Sequence, residues 1–133
     1  MKTKTELISA WLDKAQKDLL SAIHESTFTD SVLESICFHC QQAVEKFLKA
    51  YLIFLGIEFS KTHEIGELIT LCEQKDHAIS MVKEEADQLT DYSVDIRYPD
   101  STLFIDVNEA KEAINIAMKV KEYVLSKIAP QDH

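Results

Sequence analysis

Apolar residues recur along this chain at steps of three and four, with no alternating stretch, and that period predicts helix almost throughout. The first run sets Leu7, Trp11, Ala15, Leu19, Ala22 and Ile23 on one stripe. Thr3 and Glu6 stand ahead of it at capping-box spacing, and the helix is expected to end near Ser26. The polar stretch around Thr29 and Asp30 offers caps for a second, longer run through Leu33, Ile36, Cys37, Cys40, Val44, Phe47, Leu48, Tyr51 and Leu55, which stops at Gly56. Thr62 can cap a short third helix carrying Ile65, Leu68, Ile69 and Cys72. A fourth is expected from about Ser80 through Val82, Ala86, Leu89, Tyr92 and Ile96, until Pro99 prevents its continuation. Asp106 and Glu109 form another capping pair, followed by Val107, Ala110, Ile114, Ala117, Val120, Val124 and Ile128 before Pro130.

These elements predict an all-α, antiparallel up-and-down helical bundle of four long helices and one short one, built as a single domain over residues 1–133. Helix two is apolar over more than half its circumference and should lie most centrally, with His39, Gln42, Lys46 and Lys49 along its polar edge. Composition agrees: 46% of residues are hydrophobic while Gly and Pro number two each, so sharp turns are scarce. No run is apolar enough for a membrane span, and the N-terminus leads into an amphipathic segment; a cytoplasmic location is expected. The net charge of −9 repels long duplex nucleic acid. Cys37, Cys40 and Cys72 lie within apolar patterns, as reduced structural thiols do.

Several familiar chemistries are excluded. Cys37-Phe-His-Cys40 has the spacing of a redox pair or half a zinc site, but a redox pair should open a helix and zinc needs two further ligands. In His63-Glu-Ile-Gly-Glu67 a glutamate stands where a zincin has its second histidine. A carboxylate-bridged di-iron bundle needs Glu-x-x-His pairs, and the sequence contains none. Neither a glycine-rich phosphate loop nor a serine-nucleophile signature is present. No metal and no cofactor is expected.

What remains are polar residues at helix ends. His63 falls in the expected first turn of helix three with Lys61 just before it, and Arg97, the sole arginine among 14 basic residues, lies in Arg97-Tyr-Pro-Asp100. A helix N-terminus beside cations suits a phosphate, and an arginine fork suits it in a bidentate way. The same residues would equally serve a local cap and a turn clamp.

Phe38-His-Cys-Gln-Gln-Ala-Val-Glu-Lys46-Phe-Leu-Lys49-Ala-Tyr-Leu52, then Lys61-Thr-His63-Glu-Ile-Gly-Glu-Leu68, then Arg97-Tyr-Pro99-Asp100 resembles the HEPN domain of prokaryotic proteins in order and spacing. The resemblance spans nearly the whole chain. It implies an antiparallel bundle, a homodimer, association with nucleotides or RNA, and pairing with a minimal nucleotidyltransferase in a toxin–antitoxin-type arrangement. The ribonuclease branch of that family carries an Arg followed by four to six residues and a His. Arg97 has no such His, since the next one downstream is His133. Loss of that imidazole would cost roughly 10²–10⁴-fold in acid–base catalysis.

Three readings follow. The leading one is a non-catalytic module that binds a nucleotide or a nucleotidyltransferase partner, through Arg97, Tyr98, His63, Lys46, Lys49 and Gln42. The runner-up is a metal-independent ribonuclease toxin in which the fold brings His63 beside Arg97, and the third is a structural dimerisation domain, its contacts coming from helices two and four. The cysteines give the first test: Cys37→Ala with Cys40→Ala should cost about 1–3 kcal/mol of stability in denaturant titration through lost packing, and leave ligand binding intact. Loss of a bound metal in that variant would contradict the structural reading.

Overall fold

The computed structural model describes residues 1–93 and 105–128, and among these no strand occurs. Three long helices, α1 (Lys4–Ser26), α2 (Leu33–Leu55) and α5 (Val107–Ile128), form the antiparallel bundle, with the short α3 (Ile65–Cys72) against α2. The remaining helical segment, His77–Tyr92, is α-helical only over α4 (Lys83–Asp87) and winds as 3₁₀ turns on either side.

Helix ends follow largely from local chemistry. Thr3 and Glu6 close the expected reciprocal capping box at the start of α1. Gly56 adopts φ +75°, so that its N–H reaches Ile53 O at 3.0 Å and the Ile57 N–H reaches Leu52 O at 2.9 Å, a Schellman ending. Lys75 adds a bond from Nζ to Leu55 O at 2.7 Å, placing a cation at the negative end of the α2 dipole. Asp106 accepts the Glu109 N–H at the start of α5.

The start of α2 differs from expectation. Neither Thr29 nor Asp30 caps it; Val32 holds the cap position, and its N–H is taken by Glu25 from the last turn of α1 at 2.8 Å. A carboxylate from the preceding helix therefore anchors the cap residue, and no side chain caps the first turn of α2. The fourth segment also differs in winding, because Asp76 caps it earlier than Ser80, accepting from Ala78 N. Of its expected course, Ile96 lies outside the described residues.

α2 occupies the centre, packed by α1, α3, α5 and the Gln88–Tyr92 turn. Ile36, Cys37, Cys40, Ala43, Val44, Phe47, Leu48, Ala50 and Leu52 are fully buried along it. All three cysteines are buried, and burial pushes the thiols of Cys40 and Cys72 up to about 12, which leaves those two protonated and unreactive. No described helix is long and apolar enough to cross a membrane.

Asp76 joins three elements at the far end of α2. Its Oδ2 accepts the hydroxyls of Tyr51 from α2 and Tyr123 from α5, each at 2.6 Å, while Oδ1 caps the 77–82 turn. Burial opposes ionisation of this carboxyl, but the bonds from Tyr123 and Tyr51 outweigh it and hold its pKa below 3.8. Because the folded-state value is the lower one, Asp76 stabilises fully above the unfolded-state pKa, and the contribution vanishes as pH falls through the folded value. Asp76→Asn should accordingly flatten the acid side of the stability–pH curve below about pH 4 and lower stability at neutral pH, as read by urea titration. An unchanged acid limb would show that Asp76 bridges nothing of consequence.

Candidate functional site

Helical geometry sets Gln41, Glu45 and Lys49 on one line of α2, each a turn from the next. The line sits among apolar neighbours and is itself buried: Gln41 is 0% exposed, Glu45 4% and Lys49 7%. A charge at such depth needs partners. Glu45 Oε2 accepts from Lys49 Nζ at 2.7 Å, and Oε1 accepts from Gln41 Nε2 at 3.0 Å. Lys49 lies 5.5 Å above the ring of Trp11 on α1, a cation–π contact that completes its burial.

The fourth member of the cluster comes from the segment before α3. His63 Nδ1 lies 2.9 Å from Glu45 Oε1, and its backbone carbonyl accepts from Gln41 Nε2 at 3.3 Å. Burial alone would raise the Glu45 pKa, yet hydrogen bonds from Lys49, His63 and Gln41 outweigh it and hold this carboxyl below its ordinary value. An ionised carboxylate can only accept, so the ring proton belongs on Nδ1, and a neutral His63 turns the Nε2 lone pair outward. The His63 side chain is 67% exposed while Glu45 beneath it is 5% exposed. An accessible imidazole is thus oriented from below by a buried, charge-compensated carboxylate, the arrangement by which proteins fix a histidine for binding or proton transfer.

A second carboxylate gathers the other side of the α2 edge. Asp18 of α1 lies 3.0 Å from His39 Nδ1 through Oδ1, and binds Lys46 through Oδ2. Gln42 stands between the two groups and donates to Gln41 Oε1 at 2.7 Å. Lys46, 22% exposed, keeps partial access to solvent.

Of the residues expected to bind, Gln42 and His63 thus join one network through Gln41, and Lys49 joins it through Glu45. Lys49 does not share an open cationic edge with Lys46: it turns inward, because Glu45 one helical turn earlier requires its charge. Lys46 is drawn to Asp18. Arg97 and Tyr98 lie outside the described residues. His63 precedes α3 instead of standing in its first turn, and the α3 N-terminus is not a vacant anion site. Asp87 accepts the Gly66 N–H at 2.8 Å, Thr90 accepts the Ile65 N–H at 3.1 Å, and Thr62 accepts the Glu64 N–H. A Cβ at Gly66 would meet the Asp87 carboxyl carbon at 2.9 Å, so glycine is what admits that internal anion. Gln41, Glu45 and Asp18 carry the site, although periodicity assigned them no role; the signal was a polar line at four-residue steps crossing an apolar arc.

Removing one partner of a buried ion pair costs more than removing both. Lys49→Met should therefore destabilise by about 3–5 kcal/mol, and adding Glu45→Leu should recover most of that loss. Lys46→Ala, nearer to water, should cost less than Lys49→Met. A double-variant loss equal to the sum of the Lys49→Met and Glu45→Leu single losses, read by urea titration, would show that the two charges are independent.

A family model described as the HEPN domain matches residues 8–128. Two crystal structures are similar to this chain in fold over most of its length. An archaeal HEPN homologue, ST0689, is 25% identical, with 96% of this chain and 99% of that chain covered and a TM-score of 0.74. TT1696 from Thermus thermophilus is 27% identical, with 90% and 97% covered and a TM-score of 0.78. No curated protein matches this chain.

Proposed function

Because this chain belongs to the HEPN domain family, we propose that it is a non-catalytic module that binds the phosphate of a nucleotide, as one half of a toxin–antitoxin-type pair with a nucleotidyltransferase partner. The observation that carries this reading is the exposed His63 ring, fixed at Nδ1 by buried Glu45. Held so, Nε2 donates to a phosphate oxygen when the ring is protonated. Arg97 supplies a bidentate fork and Tyr98 a stacking face for the base. Gln42 and the partly exposed Lys46 flank the ligand, while Lys49 acts through Glu45. The acidic remainder of the surface excludes long duplexes. The module dimerises, with exposed apolar side chains such as Leu20, Phe28, Val32 and Met81 available to meet a second copy.

The same dyad favours a second reading, metal-independent cleavage of RNA. Nε2 of neutral His63 would take the 2′-hydroxyl proton and the 2′-oxygen would attack phosphorus, while the 5′-oxygen leaves with a proton from a second acid, giving a 2′,3′-cyclic phosphate.

Calorimetric titration against a nucleotide panel separates the two. His63→Ala should weaken nucleotide binding by about tenfold or more. Arg97→Lys should weaken it because an ammonium cannot reproduce the fork, and Arg97→Ala should weaken it further, with little change in melting temperature. Variants with a lowered melting temperature but unaltered affinity would end the binding reading at this site. Cleavage of RNA without metal by the wild type, abolished in His63→Ala, would establish the second reading.

A further inference from the structure

A groove of 570 Å³ runs between residues 60–71 and the α4 segment, and the His63 side chain, held against α2, is not among its lining residues. Its surface is mostly apolar, with Leu71 and the Thr70 side chain along it, and three carboxylates, Glu64, Glu67 and Asp87, stand on its rim. The one lysine in the lining, Lys83, is bound by Glu73 at 3.2 Å and does not cancel them. Glu64 has no side-chain hydrogen bond or ion pair among the described residues.

The walls are fastened to each other. Asp87 and Thr90 take the N–H groups of Gly66 and Ile65, and Thr62 donates to Glu67 at 3.1 Å. A groove held open in this way loses little freedom when it is filled. It is also broadly open to solvent, so a small molecule would leave much of its surface wet, whereas a segment of another protein would cover the apolar strip and the rim together.

We propose that this groove docks a basic segment of a partner protein, one that presses a large apolar side chain against Leu71 and sets Lys or Arg against Glu64 and Glu67. The charge of the rim selects that occupant: an acidic segment or a nucleic acid strand is repelled, and a neutral apolar one offers no opposite charge to Glu64 and Glu67. The groove's lining does not include His63, although its neighbours Thr62 and Glu64 contribute, and nucleotide affinity is read by its own titration, so the failure of one leaves the other standing.

The probe is a short labelled amphipathic peptide with leucines on one helical face and lysines beside them, followed by fluorescence anisotropy and amide shift mapping. Binding is expected for this peptide, and not for versions with the lysines changed to glutamate or the leucines to serine. Shifts should centre on residues 60–71 and 83–87. Glu64→Lys with Glu67→Lys should weaken binding by about tenfold or more. Glu112→Lys with Glu122→Lys, the same charge change at exposed α5 positions, should alter it by no more than about twofold, the screened long-range share. Thr70→Trp, which fills the groove without changing charge, should also abolish binding. Equal effects of the two charge-reversed doubles, an unaffected Thr70→Trp variant, shifts elsewhere on the surface, or the same shifts produced by a short RNA would each overturn the proposal.

Discussion

A carboxylate buried in the middle of a helical bundle must be compensated, and Glu45 imposes that requirement on everything around it. Lys49 turns inward from the helix edge to supply the opposite charge, and Trp11 of α1 covers it. Gln41 commits its amide to Glu45 and to the backbone of His63, and Gln42 completes the acceptor side of Gln41. The segment after Gly56 must then pass close enough to α2 for His63 to reach the same carboxylate. One ionised group thereby couples the central helix, the first helix and the connection that carries the exposed imidazole. Such a pair costs desolvation that well-packed apolar residues would avoid, so its value lies in position more than in stability.

The rest of the molecule is organised by the same device at lower stakes, acidic side chains binding the ends or flanks of other elements. Asp76 gathers hydroxyls from α2 and α5 and opens the 77–82 turn. Asp87 fills the N-terminus of α3, Glu25 takes the N–H of Val32, the cap residue of α2, and Asp18 clasps His39 and Lys46. Much of the excess acidity of the chain is therefore structural. These long-range bonds tie α3 and the mixed-winding segment to the bundle, where short helices could not hold themselves.

Legibility in the sequence follows the range of the interactions. The start of α1, the stop at Gly56, the start of α5 and the burial of the three cysteines are readable, because each depends on residues within a turn or on the period of the apolar pattern. The start of α2 is not, since Glu25 acts from the preceding helix, whereas the Asp76 cap of the 77–82 turn is local but is hidden by an apolar period that starts only at Ser80. Lys46 and Lys49 look alike on a helical projection, and only the companions Asp18 and Glu45 send one outward and the other in. His63 stands out in the sequence as an unusual residue, but for an anion site at the α3 N-terminus, which Asp87 occupies. The HEPN resemblance, carried by three motifs in order, locates the region of the site while leaving Gln41 and Glu45 without roles.

The tautomer of His63 tests this dependence most directly. Long-range proton–nitrogen correlation spectra of the ¹⁵N-labelled protein, at a pH where the ring is neutral, should place the proton on Nδ1 in the wild type and leave Nε2 with its lone pair exposed. Glu45→Gln should abolish that preference, because an amide can donate as well as accept. A ring protonated at Nε2 in the wild type, or the same tautomer in both proteins, would contradict the assignment of Glu45 as the residue that orients the site.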